Sequence, residues 1–552
     1  MSAYTAHVDT FARDRLPPRH QWPELRFDLP ELEYPEVVNC ASVLLDDAVT
    51  QGHGSRPALT GNSERLTYAE LQERVNRLAN VLVNQLGIVP GNRVLLRGFN
   101  SPMLGALWLA VIKAGGIVVT TMPMLRAAEL SRIVEKAEID HAICEASLIE
   151  ELRTTANATG RVRRIVTYGN GELEGLMARE PATFTAVPTS LEDVCLLAFT
   201  SGTTGVPKAT MHFHRDVLVM ADIVGGHLLE TSPDDVYAGS PPLGFTFGLG
   251  ALLVFPLRFR ASAVLIEQPS PDALLTAVSK HKVTCLFTAP TMYRTLAAKT
   301  TQYDLSSLKK CVSAGEVLPK ATSDMWFERT GIRLIDGIGA TEMIHIFISA
   351  KGDAIRPGAT GKPLPGYTAC VLDEENRPLP PGSIGRLAVR GPTGCRYLAD
   401  DRQQQYVIDG WNVTGDLYRV DEDGYFWFVA RADDMIISAG YNISGIEVEN
   451  ALVQHPGVRE CAVVASPDAT RGQVAKAFVV LNPGFTPGAE LATELQEFVK
   501  STIAPYKYPR LVEFIAELPR TATGKVQRNV LRDREAAAAQ NATQAATATA
   551  ER

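Results

Sequence analysis

The stretch Phe199–Lys208, FTSGTTGVPK, gathers glycine and small hydroxyl residues directly after the apolar run VCLLAF. Two readings fit such a segment. Gly/Ser/Thr clusters commonly mark linkers or structural turns. At the end of a buried strand, however, the same residues can turn several backbone N–H groups inward and form a concave anion site. In that case Thr200, Ser201, Gly202, Thr203, Thr204 and Gly205 form the cradle, and Lys208 adds a mobile positive charge. The spacing departs from the phosphate-loop pattern GxxxxGK[ST], because Pro207 precedes the lysine and Ala209 follows it. Three further apolar runs end the same way: TAP follows Phe287, SAGE follows Val312 and DGIGATE follows Ile335. Ligands of open α/β sheets bind at the carboxyl ends of the strands, so four such loops point to an assembled nucleotide or phosphate site.

The elements that must position these loops read as a β-α-β alternation. RLTYAELQERVNRLANVLVNQLG has the pattern of an amphipathic helix, with Thr67 and Glu70 as a capping box. RVLLRG reads as a strand, SPMLGALWLAVIKAGG as a buried helix opened by Ser101-Pro102, and IVVTT as the next strand. Most strand-like runs lack period-two alternation, as expected for strands covered on both faces. The fold class is therefore α/β with mostly parallel sheets. From about Gly361 short strands and turns dominate (NRPLPPGSIGRLAVRG), which predicts a β-rich subdomain. Beyond Asp433 the order helix (GIEVENALVQH), strand (CAVVAS), strand (VAKAFVVL), helix (ELATELQEFVKSTI), strand (LVEFI) predicts a small α+β domain. The expected division is residues 1–432, 433–535 and a low-complexity, disordered tail over 536–552.

Bulk properties narrow the function classes. A chain of 552 residues has room for more than one domain, and 45% hydrophobic with 21% charged residues is an ordinary globular composition. A net charge of −8 argues against broad nucleic-acid binding. The first residues, MSAYTAHVDTFARDRLPP, lack the apolar core of a secretory signal, and no apolar run approaches a membrane span. Eight cysteines without a CxxC pair fit a reducing cytoplasm and argue against a disulfide framework or zinc site. The oligomeric state stays open between monomer and homodimer.

FTSGTTGVPK, GIGATE, WNVTGDLYRVDEDGYFWFVARADDMI and LPRTATGK occur in this order, and over roughly Leu66 to Arg532 the chain resembles the adenylate-forming superfamily of acyl-CoA synthetases, luciferases and peptide-synthetase adenylation domains. The resemblance implies that the parallel sheets belong to a large N-terminal domain of several subdomains, joined by a hinge to a small C-terminal domain. It also implies a two-step reaction using ATP, Mg²⁺ and CoA. A carboxylate attacks the α-phosphate of ATP, and the acyl-adenylate then passes its acyl group to a thiol. In such a reaction two anions meet, so fixed donors and positive charge are required. By the family match, the loop Thr200–Lys208 holds the departing phosphates, Thr341 touches the α-phosphate and Glu342 binds Mg²⁺. Asp416 accepts the ribose hydroxyls, with Arg431 near ribose and phosphate. Ala314, Gly315, Glu316, Asp336, Gly337, Ile338 and Gly339 frame the adenine. Lys525 contacts the carboxylate and α-phosphate during adenylation. Asp433 is the hinge about which the small domain rotates, and Gly440 then faces the thiol channel. The chain departs from the family pattern at Ala430 and Ala209, where glycine is usual, at Gly445, where proline is common, and at Asn442, where many members are basic.

The acid pocket is expected from SPPLGFTFGLG, Ala314, Gly315 and the residues after Glu342. Phe245, Phe247 and Gly248 make an apolar, aromatic wall suited to a flat ring, although core aromatics would read alike. Amino-acid-activating members usually place an aspartate here, where this chain has Phe-Thr-Phe. The stretch TEMIHIFIS, with Ile344 and His345, resembles that of benzoate-CoA ligases, where the histidine lines the aryl pocket. RLPPRHQWPE and SPPLGFTFGLG look more like the 2-aminobenzoate-CoA ligase branch. The resemblance thus implies an aryl-CoA ligase, with 2-aminobenzoate ahead of benzoate. A stand-alone enzyme loading a carrier-protein phosphopantetheine is the alternative, and a non-catalytic nucleotide-binding protein the remote one.

Overall fold

The computed structural model describes residues 4–200, 207–438, 441–468, 471–521 and 524–538. Ser201, Gly202, Thr203, Thr204, Gly205 and Gly440, and the tail from 539 onward, lie outside the described residues. The chain forms two compact units. The first comprises Met1–Leu318, Thr322–Ala369 and Ala388–Val413; the second comprises Pro319–Ala321, Cys370–Leu387 and Thr414–Arg552.

Two parallel-rich sheets dominate the first unit. One has six strands in the order Arg164–Tyr168, His141–Glu145, Arg93–Arg97, Ile117–Thr121, Val194–Thr200, Lys208–Phe213. All are parallel except the last, which returns antiparallel to Val194–Thr200, pairing Thr200 with Lys208. The other sheet has nine strands. Its central run places Leu334–Gly339, Lys310–Ser313, Cys285–Thr288 and Val236–Gly239 side by side and parallel. Ser313 is level with Asp336, and Phe287 with both Val312 and Gly239. The four apolar runs are therefore divided between two sheets. Those ending near Phe287, Val312 and Ile335 are neighbours in the nine-stranded sheet, whereas the one ending near Phe199 pairs antiparallel with Lys208–Phe213 in the six-stranded sheet. Which sheet a strand joins is set by long-range pairing, which a local apolar run does not encode.

Local signals behave as read. The helix Tyr68–Asn80 opens on a complete capping box, with Glu70 N–H donating to Thr67 Oγ1 and Thr67 N–H to Glu70 Oε2; such a cap contributes about 1 kcal/mol. Pro102–Lys113 is capped by Ser101, whose hydroxyl accepts from Leu104 N–H at 3.2 Å, and is buried almost all round. It packs between the core of its own sheet and Tyr68–Asn80, which explains an apolar sequence without a polar face.

The β-rich part consists of Thr368–Leu372, Ile384–Arg390, Val407–Ile408, Trp411–Val420 and Phe426–Arg431 in one five-stranded sheet. In the second unit, Val458–Asp468 and Gly472–Leu481 form a long antiparallel pair, joined by Met435–Ser438, Tyr441–Ser444 and the parallel strand Leu511–Phe514. Helices Gly445–Leu452 and Ala489–Thr502 bury Val448, Leu452, Leu491, Leu495 and Val499 against Ile436, Val463, Ala477 and Val479. The architecture is mixed α/β with parallel-rich sheets, a β-rich portion and a C-terminal α+β part. No described helix is long and apolar enough to cross a membrane.

Candidate active site

Lys208 begins the strand Lys208–Phe213, antiparallel to Val194–Thr200 and paired with it at Thr200. Its ammonium donates to the hydroxyl of Tyr397 at 3.3 Å and lies 5.1 Å from the ring centroid. That hydroxyl in turn donates to Glu342 Oε1. Lys208 and Glu342, read from separate motifs, are thus joined through one phenol. Tyr397 is placed by its backbone: Leu398 N–H donates to Ala209 O, Met211 N–H to Arg396 O, and Tyr397 N–H to Gln403 Oε1. The segment Arg396–Leu398 is in effect laid along Lys208–Phe213. Burial, and after it the Glu342 carboxylate, hold the Tyr397 phenol well above its ordinary pKa, so it remains a donor.

Thr341 and Glu342 sit in a short turn, Thr341–Met343, immediately after Leu334–Gly339. The next residue, Ile344, is fully buried at φ 66° and ψ −37°, a backbone state that β-branched residues rarely adopt. Such a state costs about 1–3 kcal/mol and persists only where the surroundings enforce it. The chain then pairs antiparallel with Leu334–Gly339 through Ile346–Ser349. A Cβ at Gly337 would stand 2.9 Å from Ile346, and one at Gly339 would stand 2.9 Å from the His345 backbone. These glycines admit the returning strand, beyond any approach to a base. Ala314 is buried, Gly315 is exposed, Glu316 is intermediate, and Ile338 lies on the strand between the two glycines. Burial pushes the Asp336 carboxyl up to about 7 against the Gly337 N–H.

His345 is 4% exposed and packs against two phenylalanines. Its ring meets Phe255 edge-on at 4.8 Å between centroids and Phe247 at 5.7 Å; Phe287 stands 5.4 Å from Phe247. Burial lowers the imidazole to about 4, so the ring is neutral near pH 7. Its Nε2 faces Phe247 O at 3.4 Å, which assigns the proton to Nε2, while the buried Nδ1 has no hydrogen-bond partner among the described residues. Phe245 is half-buried, just before the short helix Thr246–Leu249, and Gly248 within it would press a Cβ onto the Pro242 carbonyl. Phe255 and Phe287 complete an aromatic cluster that sequence reading found only in part. Ser240, which opens the loop, is tied to Thr288 at the end of the neighbouring strand by a 2.5 Å hydroxyl pair.

In the second unit, Arg431 Nη1 donates to Asp416 Oδ1 at 2.9 Å, the two residues being directly cross-strand in antiparallel register. Lys525 is exposed on a turn closed by Thr521 N–H to Lys525 O and by Lys525 N–H to Thr521 Oγ1. Asp433 lies in the short turn Ala432–Asp434 that leads from Phe426–Arg431 into the C-terminal strands.

Comparison with known proteins gives this geometry a family. The AMP-binding enzyme family matches residues 45–397, and the AMP-binding enzyme C-terminal domain matches residues 447–525. Benzoate–CoA ligase of Thauera aromatica is 34% identical over 512 residues, covering 91% of this chain and 97% of the relative. The mitochondrial acyl-coenzyme A synthetase ACSM3 of Homo sapiens is 34% identical over 535 residues, covering 92% and 91%. The crystal structure of the anthranilate CoA ligase AuaEII with anthranoyl-AMP superimposes with a TM-score of 0.88 at 34% identity, over 93% of this chain and 100% of that one. A benzoate CoA ligase from Burkholderia xenovorans LB400 gives 0.82 at 31% identity, over 90% and 100%. The chain belongs to the AMP-binding enzyme family. Its reaction is that of an AMP-forming acid–thiol ligase, joining an acyl or aryl acid to CoA at the expense of ATP.

Proposed function

We propose that this enzyme is an aryl-CoA ligase that activates 2-aminobenzoate in preference to benzoate, acting in the cytoplasm. The observation that carries the reading is His345. A neutral imidazole packed between Phe247 and Phe255 offers a flat apolar wall, and its unpartnered Nδ1 offers one acceptor. An ortho-amino group is a donor that matches it; benzoate has none. A buried acceptor left unpaired discriminates more strongly than apolar contact does. The benzoate–CoA ligase and anthranilate CoA ligase relatives support an aromatic acid, whereas the acyl-coenzyme A synthetase relatives make an aliphatic acid the reading to test against.

In this reading the cradle Thr200–Gly205 and Lys208 hold the β- and γ-phosphates, and Thr341 orients the α-phosphate against the attacking carboxylate. Lys525 neutralises charge between carboxylate and phosphate, while Asp416 and Arg431 bind the ribose. Residues 314–316 and 336–339 frame the adenine. Glu342 fits a Mg²⁺ ligand: it is a buried carboxylate joined through a hydroxyl to the phosphate-side lysine, and one carboxylate with phosphate oxygens is ordinary Mg²⁺ chemistry. When bound there, the ion supplies charge neutralisation of the phosphates. The small domain, taken as 433–535, turns about Asp433 so that Lys525 withdraws and Gly440 lines the thiol's approach.

The test is steady-state AMP formation with CoA and 2-aminobenzoate, benzoate or hexanoate as the acid. We expect kcat/KM to fall in that order. His345→Leu should lower the ratio of 2-aminobenzoate to benzoate about tenfold. Hexanoate outrunning both aryl acids, or an unchanged ratio in the variant, refutes the assignment.

A further inference from the structure

We propose that Tyr397 is a positioning residue for adenylation, its hydroxyl setting the Glu342 carboxylate for the divalent cation and fixing it relative to Lys208. The geometry is a donor chain in one direction, Lys208 Nζ to Tyr397 Oη to Glu342 Oε1. A phenol has one proton to give, so donation to Glu342 leaves its lone pairs to face the ammonium. Among the described residues the Glu342 carboxylate is thereby held by one hydroxyl donor, which reduces its rotational freedom without bringing a positive charge into contact with it. A lysine in the same place would cancel the negative charge that a cation requires. The two charged groups approach the phosphate end from different sheets, one on the strand Lys208–Phe213 and the other just past Leu334–Gly339. Tyr397 is the piece that registers them. Its own position is independent of either group, resting on the backbone bonds to Ala209 and Gln403 and on an edge contact with the Tyr406 ring at 5.9 Å.

The inference rests on the reading of Glu342 as the cation ligand, and the experiment separates the two. Tyr397→Phe removes the hydroxyl and keeps the ring, its edge contact and every backbone bond. Pyrophosphate release at fixed ATP is followed over a Mg²⁺ titration for the wild type, Tyr397→Phe and Glu342→Gln, with thermal unfolding confirming that each is folded. We expect Tyr397→Phe to raise the half-saturating Mg²⁺ concentration about tenfold, the effect of losing one hydrogen bond to a charged group. Excess Mg²⁺ should restore kcat to within about threefold, and the KM for the acid should not move. A merely structural tyrosine would lower kcat at every Mg²⁺ concentration. If Glu342→Gln shifts the Mg²⁺ requirement and Tyr397→Phe does not, the positioning role is overturned. If neither shifts it, the assignment of Glu342 falls and takes this inference with it.

Discussion

Gly250 lies against two rings of the proposed acid pocket. A Cβ built on it would stand 2.6 Å from Phe255 Cζ and 2.7 Å from His345 Cδ2 and Nε2. Carbon contacts settle near 3.5–4.0 Å, so one methyl group must move one of these rings by about 1 Å. Both rings are buried and touch each other edge-on, leaving little slack. Overpacking of this size costs about 1–3 kcal/mol. Gly250 has helical backbone angles, and alanine recovers about 1 kcal/mol of that through helix propensity. The net loss of stability in Gly250→Ala is thus about 0–2 kcal/mol, and the protein should fold. Catalysis should suffer more, because a displacement of about 1 Å at a positioning surface can cost about a hundredfold in rate. With ATP saturating and 2-aminobenzoate varied, pyrophosphate release should show kcat/KM for the acid reduced ten- to a hundredfold. The KM for ATP should stay within about twofold, since the perturbed contacts are not those of Lys208 and Glu342. A folded Gly250→Ala enzyme with unaltered acid kinetics would refute the placement of the acid against His345 and Phe255.

Two further outcomes are expected. His345 is held at about 4 by burial, below its ordinary 6.5, so between these values the unfolded chain binds a proton that the folded chain does not. Stability therefore declines as pH falls through that window; the full penalty, by pH 4, is about 3 kcal/mol. His345→Gln carries no such group, so urea unfolding should show the wild type losing about 2 kcal/mol relative to the variant between pH 8 and pH 5; a gap independent of pH would contradict a neutral buried ring. Lys525→Ala should slow acyl-adenylate formation about 10²–10³-fold yet leave CoA transfer from supplied 2-aminobenzoyl-adenylate within about threefold. Equal losses in both steps would remove its assignment to the first.

Much of the scaffold was legible because it is written locally. Thr67 with Glu70, and Ser101 with Pro102, announce their helices through caps that depend on a handful of adjacent residues. The strand runs around Phe287, Val312 and Ile335 were equally plain, as was the C-terminal order of helices and strands. What escaped depends on pairing between distant segments. Nothing in GCRYLAD distinguishes Tyr397 from a loop tyrosine until Arg396–Leu398 lies along Lys208–Phe213. Phe255 was not singled out, because its contact with His345 joins segments ninety residues apart. Cysteines without a shared motif can also meet: Cys40, Cys195 and His214 lie buried with ligand atoms within 4.8 Å of one another. There the His214 ring accepts the Cys40 backbone N–H at 3.1 Å.

In the proposed reading, Ile344 separates two kinds of recognition within the five residues Thr341–His345. On its N-terminal side stand Thr341 and Glu342, which we propose face the nucleotide; on its C-terminal side stands His345, packed on Phe255, which we propose faces the acid. Because the reversal at Ile344 lies in the backbone, the offset between these two faces does not depend on which side chain follows it. Selectivity for the acid can drift at position 345 and along the aromatic cluster while the phosphate machinery keeps its place. A family that handles many acids with one nucleotide gains evolvability from such a joint. Grafts intended to change the acid should accordingly begin at His345 and leave Thr341–Ile344 intact.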